Sequence, residues 1–138
     1  MKTEIKAKWQ GSFKDGKGDF SAANSAIDQL NYKHGIKPPG TAVTNPEELM
    51  AAAHAACYNM TLSNLLSLKG YTVNSLETTA TISSQKNVIT DSYLMVDADI
   101  ENITEDTFQE ISKDAKAICP VGNAFNVNIG LIANLNNR

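Results

Sequence analysis

The stretch NPEELMAAAHAACYNMTLSNLLSLKG, residues 45–70, decides how the chain folds. Its first four residues open a helix by independent rules. Asn45 suits the N-cap, where its side-chain oxygen takes an otherwise unpaired backbone N–H. Pro46 suits the first helical position, since it has no N–H to leave unpaired. Glu47 and Glu48 place negative charge at the positive end of the helix dipole. Gly70 suits the position just past the helix end, and Lys69 the last turn. Between Glu48 and Lys69 no residue is formally charged when His54 is neutral. Such a run raises the question of a membrane span. Asn59, Thr61, Ser63, Asn64 and Ser67 make it too polar, and both ends carry the caps of a helix in water. The reading is a central helix buried nearly all round, with Ala51, Ala52, Ala53, Ala55 and Ala56 admitting a close neighbour.

Upstream, residues 3–9 alternate, with Thr3, Ile5, Ala7 and Trp9 on one side and lysines and a glutamate on the other. This predicts a half-buried strand. Lys14-Asp15-Gly16-Lys17-Gly18 is a turn signal. Short strands are expected around 18–22 and 25–30, then a Gly/Pro-rich loop from Asn31 to Thr44. Downstream, residues 72–83 and 88–100 read as strands joined by a turn at Gln85-Lys86-Asn87. Leu94, Val96, Ala98 and Ile100 should face inward, and Asp97 and Asp99 outward. Thr104 should cap a second helix with the stripe Phe108, Ile111, Ala115 and Ile118. Pro120 ends or restarts that helix. Phe125 to Leu135 alternates as a last strand. Trp9, Tyr58, Met60 and Phe125 are expected in the core, with some of them available to line an apolar pocket. The order indicates an α+β fold, mainly antiparallel sheets wrapped around two central helices.

With 138 residues the chain is long enough for one domain, 1–138, with a real core. Its 42% hydrophobic and 20% charged residues are ordinary for a globular protein. A net charge of -3 argues against nucleic acid or an anionic membrane as partner. The N-terminal MKTEIKAKWQ has no apolar segment of the signal-peptide kind, so a cytoplasmic location is expected. In that reducing compartment the two cysteines are not expected to form a structural disulfide. No Cys-x-x-Cys or His-x-x-x-His spacing exists to bind a metal.

Cys57 lies mid-helix in Ala55-Ala56-Cys57-Tyr58, where a small buried hydrophobe is the plain reading. Cys119 precedes Pro120 directly. If a short helix starts there and runs to Ala124, Cys119 is its N-cap, and unpaired N–H groups would stabilise a thiolate. Two such cysteines make chemical sense together. One thiolate attacks a peroxide and becomes a sulfenic acid, and the other condenses with it to a disulfide. A reductant then reopens the bond. Their positions in the sequence say nothing of their distance in space.

The run Asn45-Pro46-Glu47-Glu48-Leu49-Met50-Ala51-Ala52-Ala53-His54-Ala55-Ala56-Cys57 closely resembles the signature helix of the osmotically inducible protein C and organic hydroperoxide resistance (OsmC/Ohr) family. Ala115-Lys116-Ala117-Ile118-Cys119-Pro120-Val121 resembles its second motif, and the element order fits over essentially the whole chain. His54-Ala55-Ala56-Cys57 looks more like the OsmC branch. The resemblance implies an intertwined homodimer with active sites at the subunit interface. It implies thiol-dependent reduction of organic hydroperoxides and, less well, hydrogen peroxide, recycled by a dithiol such as a lipoyl group on a carrier protein. Cys57 matches the peroxidatic cysteine, Cys119 the resolving one and Glu47 the catalytic glutamate. No metal or tightly bound cofactor is implied.

Glu47 and Cys57 are ten residues apart, which is about 15 Å along one helix. A continuous helix therefore cannot bring its own Glu47 to Cys57. The expectation is that a partner subunit supplies the glutamate, through central helices antiparallel across a two-fold axis. In one respect the chain departs from the family. The family's arginine is missing, and the one arginine, Arg138, is the last residue. Lys37 falls at the arginine's place, Lys33 being a weaker candidate, and a lysine supplies a point charge without the guanidinium fork. The alternatives for Lys37 are a site residue or a solvated loop lysine. A second functional reading follows: a non-catalytic or weakly active relative that binds a small apolar ligand. His54 shares a helix face with Cys57, and the reading there is a packed, hydrogen-bonded histidine.

Overall fold

The computed structural model describes residues 1–23, 25–35 and 40–136. The chain divides into two compact units, Met1–Leu49 and Met50–Arg138.

The first unit is an antiparallel meander of β1 (Lys6–Gln10), β2 (Lys17–Ser21) and β3 (Asn31–Tyr32), in that order across the sheet. The Asp15-Gly16 turn joins β1 to β2 as expected, with the Gly16 N–H donating to the Ser12 carbonyl at 2.7 Å. Two expectations are corrected. β1 is exposed along its whole length rather than half-buried, because the aromatic packing in this small sheet centres on Tyr32. That ring stacks on Phe20 at 4.6 Å and meets Trp9 at 5.6 Å, leaving Trp9 37% exposed. The strand expected around 25–30 is a turn. Asp28 Oδ1 accepts from the Ala22 N–H at 2.9 Å, and Ser25 Oγ from the Ile27 N–H at 3.1 Å. Main-chain turn bonds, Asp28 N–H to the Ser25 carbonyl at 3.2 Å and Leu30 N–H to the Ile27 carbonyl at 3.0 Å, fold the segment back, and only Gln29 and Leu30 pair with the Phe20 backbone.

Helix α1 (Pro46–Leu68) opens at the end of the first unit and runs on into the second. Its N-cap is the expected one, with the Glu48 N–H donating to Asn45 Oδ1 at 2.7 Å. Gly70 closes it in the left-handed conformation, φ +85°. The Gly70 and Tyr71 N–H groups reach back to Ser67 and Leu66, both at 3.0 Å. The burial differs from expectation. Only His54, Tyr58, Leu62 and Leu66 are buried, while Met60 is 74% exposed. A four-residue repeat is one face of a helix, and that face is the one turned to the rest of the unit.

The second sheet has the order β4 (Val73–Gln85), β5 (Val88–Ile100), β6 (Asn128–Leu135). β4 and β5 form a hairpin whose two turn residues, Lys86 and Asn87, have φ of 52° and 62°. Positive φ at both central residues is the turn that matches strand twist. On β5, Ser92, Leu94, Val96, Ala98 and Ile100 point into the core and Asp97 is exposed. β6 lies parallel to β5, which requires a crossover. That crossover holds α2 (Glu105–Ile118) and α3 (Pro120–Ala124). Thr104 caps α2 as expected, its hydroxyl accepting the Thr107 N–H at 3.2 Å. Phe108, Ile111 and Ala115 are buried, but Ile118 is 54% exposed. Ser112 is the fourth buried residue of α2, and Ile118 is the last residue of the helix. Phe125 and Val127 precede the last strand rather than belonging to it. The core is filled from β5, α1 and α2 by Leu94, Val96, Tyr58, Leu62, Phe108 and Ile111. Among the described residues no helix is long and apolar enough to cross a membrane.

Candidate active site

Cys57 stands on α1 three residues after His54 and one before Tyr58, so it flanks the buried stripe and is itself half-buried. Cys119 is the joint between α2 and α3, ending one helix and capping the next with φ -62° and ψ 115°. Extended backbone there is what the ring of Pro120 imposes on the residue before it. Cys119 is only 1% exposed, and both cysteines are free thiols. The fold brings the two together, for Cys57 lies close enough to Cys119 to raise its pKa.

Cys119 holds the expected N-cap position of α3, but its side chain makes no capping hydrogen bond; the backbone N–H groups of Gly122 and Val121 act only to lower its pKa. Its expected consequence is corrected. Burial pushes the Cys119 thiol up, and the neighbouring Cys57 adds to the rise, while the two N–H groups work against it and lose. Cys119 is therefore a protonated thiol near neutral pH, because a buried charge costs more than a few amide dipoles return.

The wall behind the thiols is polar, and within it the buried Ser112 Oγ has no hydrogen-bond partner among the described residues. Tyr58 Oη donates to the Ser112 carbonyl at 3.0 Å, and burial pushes the phenol up to about 12. His54 Nδ1 and Ser92 Oγ share a hydrogen bond of 2.6 Å. The His54 ring sits edge-on to Phe125, 5.2 Å between centroids, and burial pushes its imidazole down. His54 is thus the neutral, packed histidine expected. Gly122 is buried beside it.

Glu47 is exposed in the first turn of α1. Since α1 is unbroken from Pro46 to Leu68, Glu47 stays about 15 Å along the axis from the Cys57 of its own chain. The neighbouring Glu48 accepts from Thr44 Oγ1 at 2.8 Å. Lys37 and Arg138 lie outside the described residues. Two residues of the site were not singled out in the sequence, Ser92 and Gly122. Ser92 had a signal, being the polar member of an otherwise apolar inward series. Gly122 had none beyond its place three residues after Cys119.

Two neighbouring thiols, one partly accessible and one enclosed and protonated, suit reversible disulfide chemistry. Among the described residues no set of three or more His, Cys, Asp or Glu side chains could hold a metal.

Residues 39–132 match the family model described as OsmC-like protein. Peroxiredoxin OsmC of Escherichia coli (strain K12) is 39% identical over 129 residues, 91% of this chain and 90% of that protein. Organic hydroperoxide resistance protein-like 2 of Staphylococcus epidermidis is 32% identical over 114 residues, 80% of each. A crystal structure of an OsmC like protein from Mycoplasma pneumoniae superposes with a TM-score of 0.79 over 98% of this chain and 97% of that one. At 19% identity that likeness is one of fold. The family match spans both cysteines and covers more than half of the sequence, so the chain belongs to the OsmC-like protein family.

Proposed function

We propose that the protein is a thiol-based peroxidase that reduces organic hydroperoxides and, less well, hydrogen peroxide. The observation that carries this reading is the neighbouring pair of free thiols Cys57 and Cys119. The names of the relatives, a peroxiredoxin and an organic hydroperoxide resistance protein, point the same way.

Accessibility divides the roles. The half-buried Cys57 attacks, because a peroxide reaches it before the enclosed Cys119. Its thiolate sulfur bonds to one peroxide oxygen, the O–O bond breaks, and the alcohol leaves with a proton. Cys57 is then a sulfenic acid. Cys119 sulfur attacks that sulfur, its own proton leaves with the hydroxyl as water, and a Cys57–Cys119 disulfide forms. An external dithiol, such as a lipoyl group on a carrier protein, takes the bond over by exchange and regenerates both thiols. In the proposed homodimer Glu47 of one chain serves the Cys57 of the other. Lys37 supplies the positive charge for which the family uses an arginine.

The test is a count of free thiols after an alkyl hydroperoxide is added to the reduced protein. Both thiols should disappear, and in Cys57→Ser the one remaining thiol, Cys119, should survive. Thiols that survive excess peroxide leave the second reading, a weakly active or non-catalytic relative that binds a small apolar ligand. That reading rests on a specific observation, a sequence whose one arginine is Arg138.

A further inference from the structure

Gly122 lies in the middle of α3 with no left-handed φ, so its backbone does not call for glycine. The space around it does. A β-carbon on Gly122 would stand 2.9 Å from His54 Nε2, 3.6 Å from His54 Cδ2 and 3.7 Å from the Cys119 β-carbon. The first distance is closer than real β-carbons come, so one of the neighbours would have to move.

Neither moves freely. The His54 ring is held on its far side by Ser92 of β5 at 2.6 Å and on its edge by Phe125. It is 1% exposed and has no solvent to swing into. α3 is tied to Cys119 through the Asn123 N–H, which donates to the Cys119 carbonyl at 2.9 Å. Gly122 also packs directly on Cys119, its β-carbon position lying 3.7 Å from the Cys119 β-carbon. Displacing Gly122 therefore displaces the thiol.

We infer that the His54 ring, seated against the bare α-carbon of Gly122, is the stop that holds Cys119 within bonding reach of Cys57. His54 and Gly122 are positioning residues: neither touches peroxide, and both act through Cys119. The inference rests on the peroxidase reading for its consequence, which is the fate of oxidised Cys57. With Cys119 in reach, the sulfenic acid closes to the disulfide and releases water. With Cys119 displaced, the sulfenic acid survives to meet a second hydroperoxide, which transfers an oxygen to it and leaves as the alcohol, giving a sulfinic acid.

Gly122→Ala is the test, read in two ways. The first needs no peroxide. The reduced protein is equilibrated in mixtures of oxidised and reduced dithiothreitol, and the fraction of Cys57–Cys119 disulfide is measured. The alanine should lower the equilibrium constant by roughly tenfold, a change of about 30 mV. His54→Asn/Gly122→Ala, which returns space to the new methyl while keeping a hydrogen-bonding side chain for Ser92, should recover most of it. Such recovery is a coupling that two independent structural defects do not produce. The second readout is intact-protein mass spectrometry after one equivalent of an alkyl hydroperoxide, then several. Gly122→Ala should accumulate Cys57 sulfinic acid where wild type accumulates disulfide. If Gly122→Ala is too unstable to purify, His54→Asn alone, which removes the stop, should show a weaker form of both effects. An unchanged dithiothreitol equilibrium in Gly122→Ala, or a double variant no better than the single one, overturns the inference. A wild type that forms the disulfide in dithiothreitol but ignores peroxide instead overturns the peroxidase reading and leaves the positioning role standing.

Discussion

Tyr58 on α1 and Ser112 on α2 are joined by a 3.0 Å hydrogen bond from the phenol to the main-chain carbonyl, inside a core where Tyr58 has no exposed surface. The bond ties together the two helices that bear the thiols, since α1 carries Cys57 at the preceding residue and α2 is closed by Cys119. Tyr58→Phe keeps the ring and deletes the bond. Its cost should be about 1 kcal/mol, the usual net worth of one buried neutral hydrogen bond. A urea titration measures it. No change in the midpoint would mean that the packed ring alone spaces the helices.

The packing of the sheet against the helices should weigh more than any single polar contact. Leu94 is fully buried at the centre of β5's inner face. Leu94→Ala should cost about 2–5 kcal/mol from lost transfer energy and the cavity left behind. Met60→Ala, at an exposed position, should cost under about 0.5 kcal/mol in the single chain. Equal losses at the two positions would show that the face of α1 bearing Met60 is covered in solution.

Stability should depend on pH through two buried groups. Burial lowers the His54 pKa, so the unfolded chain binds the extra proton more readily than the folded one. The stabilisation is complete above the unfolded value near 6.5 and is lost as pH falls below it. For Cys119 burial raises the pKa, so the sign reverses. Its stabilisation is complete below the unfolded value of about 8.5 and is lost as pH rises through the higher folded value. Urea midpoints from pH 5 to 10 should thus fall at both ends. His54→Asn should flatten the acid limb and Cys119→Ala the alkaline one. A variant that leaves its limb unchanged moves the titrating group elsewhere.

The division of labour between the sulfurs has its own readout. Cys119→Ser should still consume one equivalent of alkyl hydroperoxide at Cys57, but the product should be a sulfenic acid trapped by dimedone rather than a disulfide. Cys57→Ser should yield neither. Dimedone labelling at Cys119 in the Cys57→Ser protein would exchange the two roles.

Much of this was legible in the sequence because the signals were local. The Asn45 cap, the Gly70 stop, the Lys86-Asn87 turn and the Thr104 cap each need only a few neighbouring residues, and each stands where it was expected. The alternation in β5 identified its inward face for the same reason. What was not legible depended on distant parts of the chain. The parallel placement of β6 beside β5 is decided by how α2 and α3 fold back, which no window of sequence contains. At residues 25–30 Ser25 and Asp28 had cheaper local partners than a strand offered. At the site, the two cysteines were visible but their proximity was not. The protonated state of Cys119 follows from its enclosure rather than from the N-cap motif. Gly122 was silent because its meaning lies in the ring of His54, brought over it by the fold.

Glu47 allows a test of how the subunits share a site. An unbroken α1 keeps it about 15 Å along the helix from its own Cys57. If Glu47 takes part in the reaction with peroxide, it serves the Cys57 of a partner across a two-fold axis. Glu47→Gln alone should slow hydroperoxide consumption by roughly 100-fold, as expected when a positioned acid–base group is removed. Cys57→Ser alone should abolish it. Unfolding and refolding the two variants together gives mixed dimers, in which one site pairs an intact Cys57 with an intact Glu47 from the other chain. Those dimers should recover up to half of the wild-type rate per dimer. Recovery requires the two residues to come from different chains, because each variant chain is defective in one of them. A mixture no faster than Glu47→Gln by itself, with heterodimers verified by native mass spectrometry, would confine Glu47 to capping the start of α1. Its loss should then cost only about 0.3–1 kcal/mol of stability.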